Sequence, residues 1–334
     1  MIVIDEKKIF EIIYERNPRS VALNGPEGLL PRIEDTANKI AERVGIPAYI
    51  IADTCWGSCD INEHAADILG VDILFNIGHT ISAEQFGNKT TMINAYDDIG
   101  FEDVARKCAK ELKCASYKSI SLLTISQHLN QLCTVKEIFE QYGYTVIIGR
   151  GKGQLNDGQV FGCEFHTAYD RKIKVDAYVF LGQSQFHSAG IAMSTEKPVY
   201  MLDPYSQEYS EVNEIASHLK KRAILSVYKA FDANRVGIII GLKEGQFAKI
   251  RALELKKSFE EVGKKVQLIA LTEICDERLQ LFKRIDVFVQ VACPRIAIDD
   301  HFRSLVLSVP QAHALIKLLK KEPIEDFLRI QHWL

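Results

Sequence analysis

The sequence predicts an α/β fold built from three similar parallel-sheet domains, and three observations lead there. Short apolar runs rich in Val, Ile and aromatic residues alternate with longer amphipathic stretches, the pattern of buried parallel strands joined by crossing helices. These runs fall into three sets that share one rhythm, repeating at roughly 100 residues, long enough for a small domain and too long for a solenoid unit. A chain of 334 residues also exceeds one average hydrophobic core.

In the first set the expected strands are residues 20–24, 48–52, 73–77 and 91–96. The second holds 119–126, 145–149, 177–182 and 198–202, and the third holds 236–241, 266–271, 287–291 and 305–309. A helix follows the first run of each set, at 32–44, 135–142 and 247–262, and a glycine-containing turn then leads into the second run through VGIPAYIIAD, YGYTVIIGRG and VGKKVQLIAL. The expected domains are 1–105, 106–215 and 216–334. No Pro/Ser-rich linker separates them, so they are expected to pack together, with ligand space where the carboxyl ends of their strands converge.

Composition narrows the function. Hydrophobic residues make 47% and charged residues 25%, an ordinary globular balance. A formal charge of −3 provides no electrostatic footprint for a phosphate backbone, so nucleic acid is not an expected direct partner. The first residues mix acidic with apolar side chains and lack the order of a signal peptide, and no apolar run is long enough to span a bilayer. A cytoplasmic protein without membrane contact is expected. Eight cysteines in a reducing compartment then serve as core filling, metal ligands or catalytic groups rather than disulfides.

Reactive residues of parallel α/β sheets sit just beyond strand carboxyl ends, because that edge is open while helices cover both faces. Cys59 in DTCWGSCD follows the second strand of the first set, Cys163 in GQVFGC follows the second strand of the next, and Cys293 in VQVACPR ends the third strand of the last. Cys108, Cys114 and Cys133 fall in helical or pre-strand contexts and Cys275 begins a helix; these read as structural. A lone cysteine is most often a small buried hydrophobe, but one per unit at the same kind of edge points to a shared centre. Three thiolates can form the protein half of a catalytic zinc site or hold a cubane with one iron left open. Zinc usually recruits histidine or closely spaced cysteine pairs, whereas His64 and His166 show no ligand-like spacing with a second cysteine and CxxC is absent, which favours the cluster. Cys55 and Cys59 make a CxxxC pair, but Asp60, Ile61 and Asn62 stand where the usual radical S-adenosylmethionine motif places its third cysteine.

Taken with PEGLL at 26–30, WGSCD at 56–60, GQVFGC at 158–163, FLGQSQFH at 180–187, LDPYS at 202–206 and VQVACPR at 289–295, the chain resembles the archaeal first-step enzymes of diphthamide biosynthesis, the 2-(3-amino-3-carboxypropyl)histidine synthases. The resemblance spans nearly the whole chain. It implies a homodimer in which each of three related domains gives one cysteine, here Cys59, Cys163 and Cys293, to a [4Fe–4S] cluster in a central cavity. It further implies that S-adenosylmethionine binds the open iron and is cleaved reductively at its Cγ–sulfur bond. The resulting 3-amino-3-carboxypropyl radical adds to C2 of a histidine imidazole in translation elongation factor 2, leaving methylthioadenosine; the electron donor is unidentified. Imidazole carbon is a poor nucleophile, so no side-chain catalytic dyad is required, and none is evident.

Four further residues are expected to line the site. Arg295, two residues after a proposed ligand, suits bidentate binding of the methionine carboxylate, and Gln246 in GLKEGQ can reach the same group. His79 and His187 follow the third strands of the first two sets, where cavity lining or proton transfer is the functional role and a satisfied core histidine the ordinary one. The chain departs from the family pattern at Thr80, Ile81 and Ser82, where Ser, Cys and Leu are expected, and at Lys243 and Glu244 in the glycine-rich segment. Three rivals stand beside this assignment: a quinolinate synthase-like [4Fe–4S] dehydratase and condensing enzyme, a noncatalytic partner subunit of the same fold, and a cluster-free nucleotide-binding protein. LDPYS and ACPR disfavour the first, retention of all three cysteines disfavours cluster loss in the second, and the lack of GxGxxG or GxxxxGK[ST] disfavours the third.

Overall fold

The structure is a computed structural model that describes residues 2–83, 85–87, 89–169, 174–298, 302–324, 326–330, 332 and 333. The first 97 residues supply β1 (Ile2–Ile4), β2 (Val21–Asn24), β3 (Ala48–Ile51), β4 (Ile73–Ile77), β5 (Gln85–Phe86), β6 (Thr90–Ile93) and β7 (Ala95–Asp97). Next come β8 (Ser119–Thr124), β9 (Thr145–Ile148), β10 (Ala177–Leu181), β11 (Val199–Asp203) and β12 (Glu208–Glu211), then β13 (Arg235–Gly241), β14 (Lys265–Leu271), β15 (Val287–Gln290) and β16 (Val306–Leu307).

These strands form three main sheets with one repeated order. The first reads β3-β2-β4-β6-β5, the second β12-β11-β10-β8-β9 and the third β14-β13-β15-β16. In each, the opening strand lies between the second and third, and the fourth lies outside the third; these four pair in parallel. The chain therefore reverses its direction across each sheet between the first and third strands, which opens a crevice at their carboxyl ends. Antiparallel β5 and β12 extend the first two sheets, and β1 pairs with β7 as a separate ribbon.

The local reasons follow the residue pattern. Strands covered by helices on both faces have no polar side, and β2, β4 and β10 are buried at every position. The helix after β2, Leu30–Val44, buries Ile33, Thr36, Ala37 and Ile40, a stripe at helical spacing, and ends at Gly45 with φ 77°. Its counterparts Leu132–Gln141 and Lys249–Glu261 bury Leu132, Val135, Ile138 and Phe139, and Ala252, Leu255 and Phe259.

Two expected strands differ in outcome. Residues 91–96 divide between β6 and β7 because Asn94 turns out of the sheet, its carbonyl accepting from the Asp5 N–H at 3.0 Å, so Ala95 and Tyr96 pair with β1. Residues 305–309 pair with β15 only at Val306 and Leu307; Ser308 then caps helix Val309–Leu319 in a capping box with Gln311. The edge strand β12, with the sequence EYSE, carries no apolar alternation to reveal it.

His128, wholly buried beside the Phe101 ring (centroids 5.0 Å apart), makes the fold acid-sensitive. Burial lowers its pKa from 6.5 to about 4. Between those values the unfolded chain binds the proton and the native chain does not, so stability is lost as pH falls from 6.5 through 4, by at most about 3 kcal/mol for this group. Urea unfolding across that window should show a shallower pH slope for His128→Gln than for the parent; equal slopes would show that His128 is not the titrating group.

Candidate metal centre

Cys59 lies in the loop between β3 and helix Glu63–Leu69, in a turn closed by the Asp60 N–H donating to the Gly57 carbonyl at 3.0 Å. The loop that follows β13 meets this turn from the third sheet. Gly245 donates its N–H to the Cys59 carbonyl at 3.0 Å, and a Cβ on Gly245 would stand 2.4 Å from the Cys59 Cα, so only glycine allows the approach. Next to it, the Gln246 Nε2 donates to the Cys59 Sγ at 3.5 Å. Lys243 is 7% exposed and reaches the Asp60 Oδ2 at 2.6 Å and the Glu273 Oε1 at 2.7 Å. Burial opposes the ammonium charge, but these partners outweigh it and hold the Lys243 pKa above its ordinary value.

Cys163 sits in the long connection after β9, which rejoins the sheet where Thr124 bridges Gln159. Its neighbour Gly162 packs directly on Phe186, with space so tight that an added Cβ would fall 1.7 Å from the ring. Cys293 lies three residues beyond β15 rather than at its end, and the Gln290 Oε1 accepts from the N–H groups of both Ala292 and Cys293 at 2.8 Å. The Gln290 Nε2 is buried with no hydrogen-bond partner among the described residues.

The three thiols face a common region. Burial pushes the Cys163 pKa up, and the Cys293 and Cys59 thiols push it further in the same direction, so Cys163 feels both of the others. Burial also raises Cys59, against the Gln246 hydrogen bond, which favours the thiolate. Among the described residues no three His, Cys, Asp or Glu side chains close around a single metal ion. An all-sulfur donor set of three thiols suits iron–sulfur chemistry.

The remaining expected residues group beside these loops. His187 accepts or donates through Nδ1 with the Ser184 Oγ at 2.6 Å and stacks on Phe180 at 6.2 Å, while burial, then His79 and Arg295, lower its pKa to about 4. Burial alone does the same to His79, whose backbone is left-handed with φ 49°. Arg295 places its guanidinium 5.5 Å from the centre of the Phe186 ring, a cation–π contact that orients the fork. Gln246, expected at a carboxylate, turns its amide nitrogen to the Cys59 sulfur.

The other cysteines are placed differently. Cys55 is 5% exposed, accepts from the Asn24 Nδ2 at 3.6 Å, and is pushed up to about 12, chiefly by burial. Cys108 lies in the core of the second sheet, Cys133 is exposed, Cys275 caps helix Asp276–Leu279, and the Cys114 side chain lies outside the described residues. Sequence reasoning passed over Gly245, Asp60, Gln290 and Phe186 as parts of this region. The adjacent GLKEGQ and VQVACPR motifs were the available signal, but only the docking of one sheet on another gives those residues their partners.

The comparisons with known proteins agree along the length of the chain. It is 28% identical over 328 residues to the 2-(3-amino-3-carboxypropyl)histidine synthase of Pyrococcus horikoshii, covering 97% of this chain and 94% of that protein. The corresponding protein of Methanocaldococcus jannaschii is 27% identical over 89% of this chain and 84% of its own length. The crystal structure of Dph2 from Pyrococcus horikoshii with a 4Fe-4S cluster superposes with a TM-score of 0.88 at 27% identity, covering 97% of this chain and 94% of that one. The family described as "Putative diphthamide synthesis protein" matches residues 25–326, a stretch that holds all three cysteines and every strand of the three main sheets after β2, and the chain belongs to that family.

Proposed function

We propose that Cys59, Cys163 and Cys293 hold one [4Fe–4S] cluster and that the protein is a 2-(3-amino-3-carboxypropyl)histidine synthase, modifying a histidine of translation elongation factor 2 in the first step of diphthamide biosynthesis. The observation that carries this reading is one half-buried thiol from each of three sheets, with Cys163 within electrostatic reach of the other two, in a chain similar throughout to a protein crystallised with a 4Fe-4S cluster. The units are three α/β domains at 1–105, 106–215 and 216–334, the assembly is a homodimer in the cytoplasm, and an electron donor is required.

When bound, the cluster supplies the electron for reductive cleavage of the Cγ–sulfur bond of S-adenosylmethionine, whose 3-amino-3-carboxypropyl group passes to imidazole C2. The chain's own residues prepare the surroundings. The Gln246 amide favours the Cys59 thiolate, and Gln290 sets the backbone that aims Cys293. Arg295, braced by Phe186, presents two parallel donors to the methionine carboxylate. His79 and His187 are neutral at pH 7, so each offers one donor and one acceptor without adding a cation beside Arg295.

Anaerobic reconstitution tests the ligand set. Cys59→Ala, Cys163→Ala and Cys293→Ala should each lose most of the iron, sulfide and broad visible absorption, while Cys55→Ala should keep them, since its thiol is held inside the first sheet by Asn24. A Cys55 variant without iron beside a Cys59 variant that retains it would reverse the assignment.

Reduced protein, S-adenosylmethionine and archaeal elongation factor 2 should yield methylthioadenosine and a modified histidine. Release of chiefly 5′-deoxyadenosine, or indifference to removal of the target histidine, would refute the reaction type. Arg295→Lys should keep its iron yet bind S-adenosylmethionine more weakly by about 1 to 3 kcal/mol, because an ammonium cannot replace a bidentate fork. Unchanged affinity by calorimetry would place Arg295 outside the site.

A further inference from the structure

The connection carrying Cys163 has little regular structure of its own. Around the cysteine it closes in a tight turn in which the Phe161 N–H donates to the Glu164 carbonyl at 2.9 Å and the Glu164 N–H returns to the Phe161 carbonyl at 3.4 Å. Two aromatic anchors flank that turn. Phe186 fills the space against Gly162 on one side, and on the other Phe165 is wholly buried, so close to Gly190 that a Cβ there would stand 2.5 Å from its ring.

The second anchor is completed by a segment arriving from the third sheet. After helix Val309–Leu319 the chain crosses helix Asn213–Lys229, where Lys220 pairs with Asp326 at 2.5 Å, and then runs beside the Cys163 turn. Leu328 and Trp333 enter the core of the second sheet at 4% and 1% exposure. The Trp333 indole packs edge-on against Phe165 with centroids 5.1 Å apart, and its N–H donates to the Leu328 carbonyl at 3.1 Å. The Trp333 backbone N–H donates to the Cys163 carbonyl at 2.9 Å, while His332 bridges Glu164 in antiparallel fashion and places its Nε2 3.5 Å from the Glu164 Oε2.

A hydrogen bond to the carbonyl of Cys163, with a bridge at the next residue, fixes the peptide that follows the cysteine and so the direction of its Cα–Cβ bond. We infer that Leu328, His332 and Trp333 form a clamp that presents the Cys163 thiol to the metal centre, with Trp333 as its positioning residue. The family match ends at residue 326, short of His332 and Trp333. The link to the metal centre rests on the proposed ligand set, whereas the hold on the Cys163 turn does not.

Site-resolved alkylation of the metal-free protein, read by mass spectrometry, tests the clamp. In Trp333→Ala, Cys163 should react roughly tenfold faster or more, through local opening, while Cys59 and Cys293 keep their parental rates. Trp333→Phe, which retains the backbone donor and an aromatic ring, should restore slow modification. Trp333→Leu serves as the milder variant should the alanine protein not fold, since it keeps apolar volume at the site. After anaerobic reconstitution the fast-reacting variant should hold less iron than the parent. Equal acceleration at all three cysteines, or none at Cys163, would overturn the clamp. A parental protein that takes up no iron would instead remove the ligand assignment and leave the alkylation result to decide the clamp by itself.

Discussion

The arrangement depends on the close approach of the third sheet's first loop to the Cys59 turn. An ammonium that is 7% exposed tolerates its surroundings only if it is paired and hydrogen-bonded, and the partners of Lys243 come from both sides of the junction: Asp60 from the first sheet, Glu273 from the third. Without the first sheet that charge would keep only Glu273. The same junction leaves no room for a side chain at Gly245, so at that point the contact is made by backbone, which has one geometry. The Asp60 Oδ1, buried without a partner, marks how far the turn gives up solvation to meet this loop.

Three sheets with one strand order do not make a symmetric site. Cys59 and Cys163 lie beyond edge strands β3 and β9, whereas Cys293 lies beyond β15, which sits between β13 and β16. The means of holding each thiol differ as well. Gln290 pins the Cys293 backbone from within the same sheet, but the Cys59 turn is gripped by the loop after β13 and the Cys163 turn by Trp333. The third unit therefore organises all three positions.

Much of the sheet pattern was legible in the sequence, because strands buried on both faces read as continuous apolar runs and the helices between them keep a spaced apolar stripe. The strands the sequence concealed are those whose pairing supplies the stability: β12 is polar and β1 short, each recruited by a neighbour. At the candidate site the cysteines were legible because they carry distinctive chemistry at the right edge of the fold. Lys243 was visible only as a departure from a family pattern, since its meaning lies in Asp60, 183 positions away along the chain. Gln290 and Trp333 likewise look like core residues until their amide partners are known.

The grip of Trp333 on the Cys163 carbonyl has a consequence for the order in which the molecule is made. Domains generally fold as they leave the ribosome, earlier units first. Here the first two sheets can form while the segments that seat their cysteines are still unsynthesised. Cys59 waits for the loop after β13, and Cys163 waits for residues 332 and 333, much further along the chain. Two thiols are thus made well before the segments that hold them, so each sheet exposes its cysteine turn until a later part of the chain arrives to seat it.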